Sequence, residues 1–238
     1  MLSNKTHWLF DIDGTITDSR KHIKPEMLEF MLAFCANNDV SFVTGSNIER
    51  TREQIPAELI NAATYCFCCS GNQIYKAGNL LYEDEVMWPE EILVWSKTVL
   101  DVSDFSNRTG NHIDYRPGTL NFSIVGRGAS DAQRLNYILW DRLFEERETI
   151  VKDFNSLFLD YEAAVGGDTG IDICAKGFNK SQVIKWFPDT TLNFFGDKTA
   201  KNGNDAPLAN AILDNNLGSV YEIDSWQKTR ELLSMCKK

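Results

Sequence analysis

Near the N-terminus, Trp8-Leu9-Phe10 runs into Asp11-Ile12-Asp13-Gly14-Thr15, and no other stretch limits the fold so tightly. An apolar run that ends in two carboxylates, a glycine and a threonine reads as a buried strand whose carboxyl end opens into a tight polar turn. In an α/β sheet, ligands gather at that end. If strand geometry persists through the turn, Asp11 and Asp13, two residues apart, project to one side and face one ligand. Like charges held so close require a cation or a shared proton, and hard oxygen ligands favour Mg2+. An ordinary Asp-Gly turn fits the same residues. A calcium loop fits worse, because its pattern needs Gly where Ile16 stands and Glu where His22 stands.

The stretches that follow repeat the theme. Pro25 opens a periodic segment with Met27, Leu28, Met31, Leu32 and Cys35 on one face, which predicts a helix. Residues 40–43 form a second apolar strand that ends in the polar turn Thr44-Gly45-Ser46, and a helix through Glu49, Arg52 and Ile55 comes next. Strand, helix, strand, helix implies a parallel sheet with right-handed crossovers. Residues 65–69 give a third strand and Gly71-Asn72 a turn. After residue 178 the alternation returns, with a helix over 180–187, the strand Thr191-Leu192-Asn193-Phe194-Phe195, a strand over 219–223 and a closing helix.

Between these blocks the character changes. Residues 112–115 and 120–125 are strand-like around a Pro117-Gly118 turn. One long helical pattern carries Leu135, Ile138, Leu139 and Leu143, and strands follow near 157–161 and 171–174. Strands joined by tight turns predict an antiparallel sheet. The expected architecture is therefore an α/β, Rossmann-like parallel-sheet core from residues 1–84 and 178–238, with an inserted α+β unit over 85–177 carrying an antiparallel sheet.

Charge and apolar content limit the partners. Twenty-four Lys and Arg against 34 Asp and Glu leave a net charge of −10, which argues against non-specific nucleic-acid or anionic-membrane binding. No apolar segment approaches the ~20 residues of a membrane span, and the start Met1-Leu2-Ser3-Asn4-Lys5 lacks a signal-peptide core. The expected location is cytoplasmic. Cys66, Cys68 and Cys69 sit in an apolar stretch without metal-ligand spacing, so they are expected to be reduced core residues.

Three predicted strands thus end in polar groups: Asp11 with Asp13, Thr44, and Asp197. In an open parallel sheet such ends lie side by side, so residues distant in sequence meet in one crevice. Taken alone, Asp197 or Asp205 also reads as a helix cap, Thr44 as a turn residue and Lys180 as a solvated helix start. Together, D-I-D-G-T, the Thr44 turn, Lys180 and Gly196-Asp197-Lys198-Thr199 with Gly203-Asn204-Asp205 resemble, in order, the four motifs of the haloacid dehalogenase superfamily of phosphotransferases. Asp11 to Thr17 with Arg20, and Phe195 to Thr199, look like the eukaryotic-type phosphomannomutase family. The inserted unit is similar to that family's cap through Ile113-Asp114-Tyr115-Arg116, Gly118, Leu120-Asn121, Ser123, Gly126-Arg127 and Arg134.

The resemblance implies a mutase that interconverts hexose 6-phosphate and hexose 1-phosphate, with mannose or glucose as the hexose, for mannose metabolism and GDP-mannose biosynthesis. Hexose 1,6-bisphosphate primes it. Asp11 would be the nucleophile, Asp13 the general acid/base, and Thr44 and Lys180 would neutralise the transferring phosphoryl. Asp11, Asp13 (through its backbone carbonyl), Asp197 and Asp205 would hold Mg2+. Arg116, Arg127 and Arg134 would grip the distal phosphate, with Arg20, Gly170 and Asp172 as further substrate contacts and a homodimer formed through the cap. Taken singly, the three arginines would be solvated surface groups. Where the family's substrate loop has a Met and a Ser, this chain has Asp168 and Gly170, so one hydroxyl contact is lost. The alternative is a Mg2+-dependent sugar-phosphate phosphatase, since water can release the same aspartyl phosphate; a non-catalytic binding module ranks last.

Overall fold

Strand β1 (Thr6–Phe10) shows how the chain builds its core. Leu9 and Phe10 are both fully buried. Successive strand residues face opposite ways: Leu9 packs with Val43, Phe67 and Phe194, and Phe10 with Phe42, Cys66 and Phe195. A strand like this belongs inside a sheet covered on both faces, as parallel sheets are. The computed structural model describes residues 5–84 and 86–235; Met1 to Asn4 and Glu85, where the inserted unit is expected to begin, lie outside the described residues.

Helix α1 (Pro25–Cys35) starts on Pro25, whose missing N–H is harmless in a first turn, and it buries Met27, Met31 and Phe34. Strand β2 (Asp39–Val43), helices α2 (Ile48–Gln54) and α3 (Ala57–Ala62) and strand β3 (Tyr65–Cys68) continue the alternation. A hairpin, β4 (Gln73–Lys76) and β5 (Asn79–Glu83), then runs antiparallel. Helix α4 (Glu90–Val102) leads to β6 (Ile113–Arg116), β7 (Thr119–Phe122), α5 (Asp131–Phe144), α6 (Glu146–Leu157), β8 (Tyr161–Gly166) and β9 (Gly170–Ala175). After 3₁₀ turns over Lys180–Trp186 come β10 (Thr191–Gly196), α7 (Ala206–Asp214), β11 (Gly218–Glu222) and α8 (Trp226–Met235).

Two sheets result. The larger has the order β11-β10-β1-β2-β3-β4-β5, parallel from β11 to β3. The smaller is antiparallel, in the order β6-β7-β9-β8, over its own cluster of Leu120, Phe122, Tyr137, Phe154 and Ile173. An α/β core with a separate antiparallel sheet is the architecture the sequence predicts. The sheets touch where β8 meets the loop before α7: Val165 N–H donates to Asn202 O at 2.7 Å, and Asn204 N–H to Val165 O at 3.1 Å. No helix of the described residues is long and apolar enough to cross a membrane.

Several local expectations need correction. The helix expected through Leu135 to Leu143 is α5, and a second helix, α6, which was not anticipated, follows it after Glu145, which adopts φ +51°. The leucine stripe of α5 faces solvent: Leu135, Leu139 and Leu143 are 55%, 54% and 74% exposed, while Arg134 and Tyr137 form the buried face. Tyr137 decides this orientation by packing edge-on against Phe105 at 4.9 Å. The strand expected near 157–161 begins at Tyr161, because Leu157 still closes α6. Residues 180–186 form 3₁₀ turns rather than an α-helix. Cys66, Cys68 and Cys69 are buried free thiols, as expected.

His7 carries a pH prediction. Its Nε2 lies 2.9 Å from Ser41 Oγ, and its ring packs 4.3 Å from that of Phe187. Burial lowers its pKa to about 4; Asp39 opposes the shift and Lys5 adds to it. The folded chain keeps the imidazole neutral, while the unfolded chain protonates it below about 6.5. Its contribution is therefore complete above pH 6.5 and is lost as pH falls towards 4, by on the order of 3 kcal/mol. Unfolding of the wild type and His7→Gln across that range checks this: the wild type has the steeper decline, and equal slopes would contradict it.

Candidate active site

Adjacent strands β10, β1 and β2 bring the predicted groups together at one sheet edge. β1 ends at Phe10, and the Asp11 N–H still donates to Phe195 O of β10 at 2.9 Å, which fixes Asp11 at the mouth of the sheet. The chain then turns sharply on Gly14, at φ +75°. A Cβ there would lie 2.6 Å from Asp197 Oδ2, so glycine lets the turn and the Asp197 carboxylate share the space. Thr44 follows β2, its N–H bonded to Phe67 O at 2.8 Å and its hydroxyl accepting from Ser46 N–H at 3.1 Å.

Lys180 is the centre of the charge arrangement. It is fully buried, and its Nζ donates to Asp11 Oδ1 at 2.7 Å and Asp205 Oδ1 at 2.6 Å. Burial disfavours the ammonium, but Asp11 and Asp205 outweigh it and hold the lysine above its usual pKa. Burial raises Asp11 well above the carboxylate range, against the pull of Lys180 and reinforced by Asp205, Asp197 and Asp13. Asp197 is pushed up to about 7, by burial first and Asp205 second.

Oxygens of Asp11, Asp197 and Asp205 lie within 4.8 Å of one another. Three carboxylates against one buried ammonium leave excess negative charge, and all the donors are hard oxygens. This set fits a small divalent cation such as Mg2+. The Asp13 carboxylate takes a different course. Strand geometry ends before it, and its Oδ1 accepts from Arg20 N–H at 2.6 Å and Gln54 Nε2 at 2.9 Å. Asp11 and Asp13 nevertheless line one cleft of about 370 Å³, with Thr44, Gly45, Arg20, Asp197 and Asn204.

The smaller sheet forms the facing wall. Arg116 and Arg127 both donate to Asp114 Oδ2, at 2.9 and 2.5 Å, and Arg116 Nη1 reaches Gly45 O at 2.6 Å. Asp172 accepts from Asn121 at 2.6 Å and from Asn204 at 3.1 Å, so it ties β9 to the loop that carries Asp205. Gly170 lines the cleft too. Arg134 stands apart from Arg116 and Arg127: its guanidinium donates to Thr169 Oγ1 at 3.0 Å and pairs with Asp168 at 3.6 Å.

A model of the family described as eukaryotic phosphomannomutase matches residues 27–234. The chain belongs to that family. It is 31% identical over 239 residues to phosphomannomutase 1 of Dictyostelium discoideum, covering 95% of this chain and 94% of that one. With the phosphomannomutase of Spinacia oleracea it shares 31% over 209 residues, 83% of each chain. Among solved structures, the C-terminal domain of trehalose-6-phosphate phosphatase from C. albicans superposes with a TM-score of 0.67 at 14% identity, over 98% of this chain and 92% of that one. A haloacid dehalogenase-like hydrolase from Bacteroides thetaiotaomicron gives 0.57 at 12%, over 98% and 100%. Identities this low speak for the fold alone.

Within this phosphomannomutase framework, some functional neighbours had escaped the sequence reading. Gln54 is 2% exposed and holds Asp13; a fully buried amide on the inner face of a helix is the signal that could have found it. Asp114, the shared partner of two arginines, was legible as the acid two residues before Arg116. Arg50, in the first turn of α2, also lines the cleft. Arg147 braces the loop between β8 and β9, donating to Gly167 O at 3.0 Å and Gly170 O at 3.3 Å while held by Asp141 at 2.8 Å.

Proposed function

We propose that the chain is a phosphomannomutase, moving a phosphoryl group between the two ends of a hexose through an aspartyl phosphate on Asp11, with hexose 1,6-bisphosphate as primer. The observation that carries this reading is the two-sided cleft. Asp11, Asp13 and Thr44 line one wall, with Lys180 buried behind Asp11, and Arg116 at the end of β6 and Arg127 in the loop after β7 face the same space. A monophosphate hydrolase needs fewer cations that far from its nucleophile. In this reading residues 85–177 act as the cap over a core of 1–84 and 178–238, and two copies pair through the cap in the cytoplasm.

In the first half-reaction an Asp11 oxygen forms a bond to phosphorus as the bond from phosphorus to the sugar oxygen breaks. Asp13 protonates the departing oxygen. Gln54 and the Arg20 N–H both hold the Asp13 carboxylate, fixing its position for that transfer. In the second half, Asp13 takes the proton of the other sugar hydroxyl as that oxygen attacks phosphorus and Asp11 leaves. Lys180 and Thr44 offset charge on the phosphoryl group, a reaction in which position and electrostatics supply most of the catalysis. Mg2+, held by Asp11, Asp197, Asp205 and the Asp13 carbonyl, would supply further neutralisation of that charge.

The test supplies mannose 1-phosphate, Mg2+ and a trace of mannose 1,6-bisphosphate, and counts isomerised sugar against free phosphate. Isomerisation dominates and stops in a chelator. Release of free phosphate alone, whatever the bisphosphate concentration, would make the protein a phosphatase instead.

A further inference from the structure

The loop between β8 and β9 places an acid where a phosphate is expected. Asp168 lines the cleft, and behind it lies Arg134, whose side chain is only 10% exposed and is engaged by Thr169 and Asp168. Two more cations line the cleft beside Asp168. Arg20 is held at φ +56°, a left-handed backbone that arginine rarely adopts. Arg50 projects from α2 on the opposite wall, where Glu53 is its partner at 2.8 Å. These arginines feel one another: burial first, then the charges of Arg134 and Arg50, lower Arg20 to about 10.

We propose that Asp168 is a displaceable counter-ion that occupies the anion subsite of Arg134, Arg20 and Arg50, and that a phosphate dianion must expel it to bind there. The proposal deepens the mutase reading and rests on it for the identity of that anion. Three facing cations without an anion repel each other, and Asp168 relieves that repulsion while the subsite is empty. A dianion offers two charges and more acceptors than one carboxylate, so it wins the exchange, whereas a neutral hydroxyl does not. The loop is built to let Asp168 leave. Gly167, next to it, sits at φ +51° with nothing near its missing Cβ, and Asp168 keeps a third of its surface exposed. Arg147 anchors the loop at both ends, through Gly167 O and Gly170 O, and Ser123 Oγ donates to Thr169 O at 2.9 Å, so the swing is confined to Asp168. Asp168 therefore selects for doubly charged groups at the distal end, at some loss of affinity for all of them. Arg50 becomes a specificity residue that the core contributes to this end of the substrate.

Calorimetry in an Asp11→Asn background, where no phosphoryl transfer interferes, tests this with two probes, inorganic sulfate and mannose 1,6-bisphosphate. Asp168→Asn keeps the size and removes the charge, and Asp168→Ser guards against a local effect of the amide. Both variants bind both probes about tenfold more tightly than the Asp168 protein, from removal of one close like charge. The gain disappears when Arg134→Ala is added, and Arg50→Ala weakens both probes. Unchanged or weaker sulfate affinity in both Asp168 variants overturns the proposal, even if the bisphosphate binds normally. Tighter sulfate binding with no bisphosphate binding upholds the counter-ion and removes the mutase reading.

Discussion

Asp11→Asn loses more than about 10⁴-fold in turnover while the fold persists. An amide keeps the carboxylate's shape and can still accept from Lys180, but it does not attack phosphorus, so the loss falls on chemistry. Stability does not fall with it. Asp11 is one of three carboxylates crowded within 4.8 Å, and removing one charge relieves repulsion that Lys180 and the half-buried Lys198 offset only in part. The melting temperature of the variant equals or exceeds that of the wild type in the absence of Mg2+. Steady-state kinetics with calorimetric melting checks both halves. A variant that keeps a few per cent of activity would place the nucleophile elsewhere, and a variant that melts far below the wild type would make Asp11 a structural residue.

Lys180→Met acts on both stability and rate. The substitution keeps most of the side-chain volume and leaves Asp11 and Asp205, 96% and 100% buried, without their ammonium. Removing one partner of a buried ion network costs about 3 to 5 kcal/mol, or on the order of 10 °C in melting temperature for a chain of this size. Turnover falls by about 10² to 10³, the range for loss of one group that stabilises charge in a transition state. Added Mg2+ recovers part of the stability, because a cation among the same carboxylates replaces the lost charge. Melting curves with and without Mg2+ separate this from an ordinary cavity, which no cation repairs. A variant as stable as the wild type and insensitive to Mg2+ would contradict the charge arrangement around Lys180.

The parts of the fold that were legible are the ones that burial writes into sequence. β1, β2 and β10 are covered on both faces, so they read as mainly apolar runs, interrupted only by Ser41 and Asn193 before their last residues, and each ends in the polar turn that builds the site. The hairpin strand β5 was not anticipated: all five of its residues are exposed at the sheet edge, where no core imposes a pattern. Helix α7 begins right after Asp205, which taken alone reads as a helix cap, with Pro207 in its first turn. The leucines of α5 misled for a different reason. Apolar spacing shows that a helix has a stripe, and only the aromatic packing of Tyr137 decides which side turns inward. At the site, residue identities were readable but their pairings were not. Lys180 meets Asp11 from 169 residues away, and Arg134 is diverted to Asp168 and Thr169, a contact that depends on how the loop after β8 closes.

The measurement closest to the central claim locates the phosphoryl group on the protein. The wild type is mixed with mannose 1,6-bisphosphate and Mg2+, quenched in acid, digested and analysed by mass spectrometry. One phosphoryl group appears on the peptide that contains Asp11, disappears when excess hexose phosphate is added before the quench, and never forms in Asp11→Asn. A wild type that turns over substrate without any adduct on Asp11, or an Asp11→Asn protein that still carries the phosphoryl group, would contradict the aspartyl phosphate route.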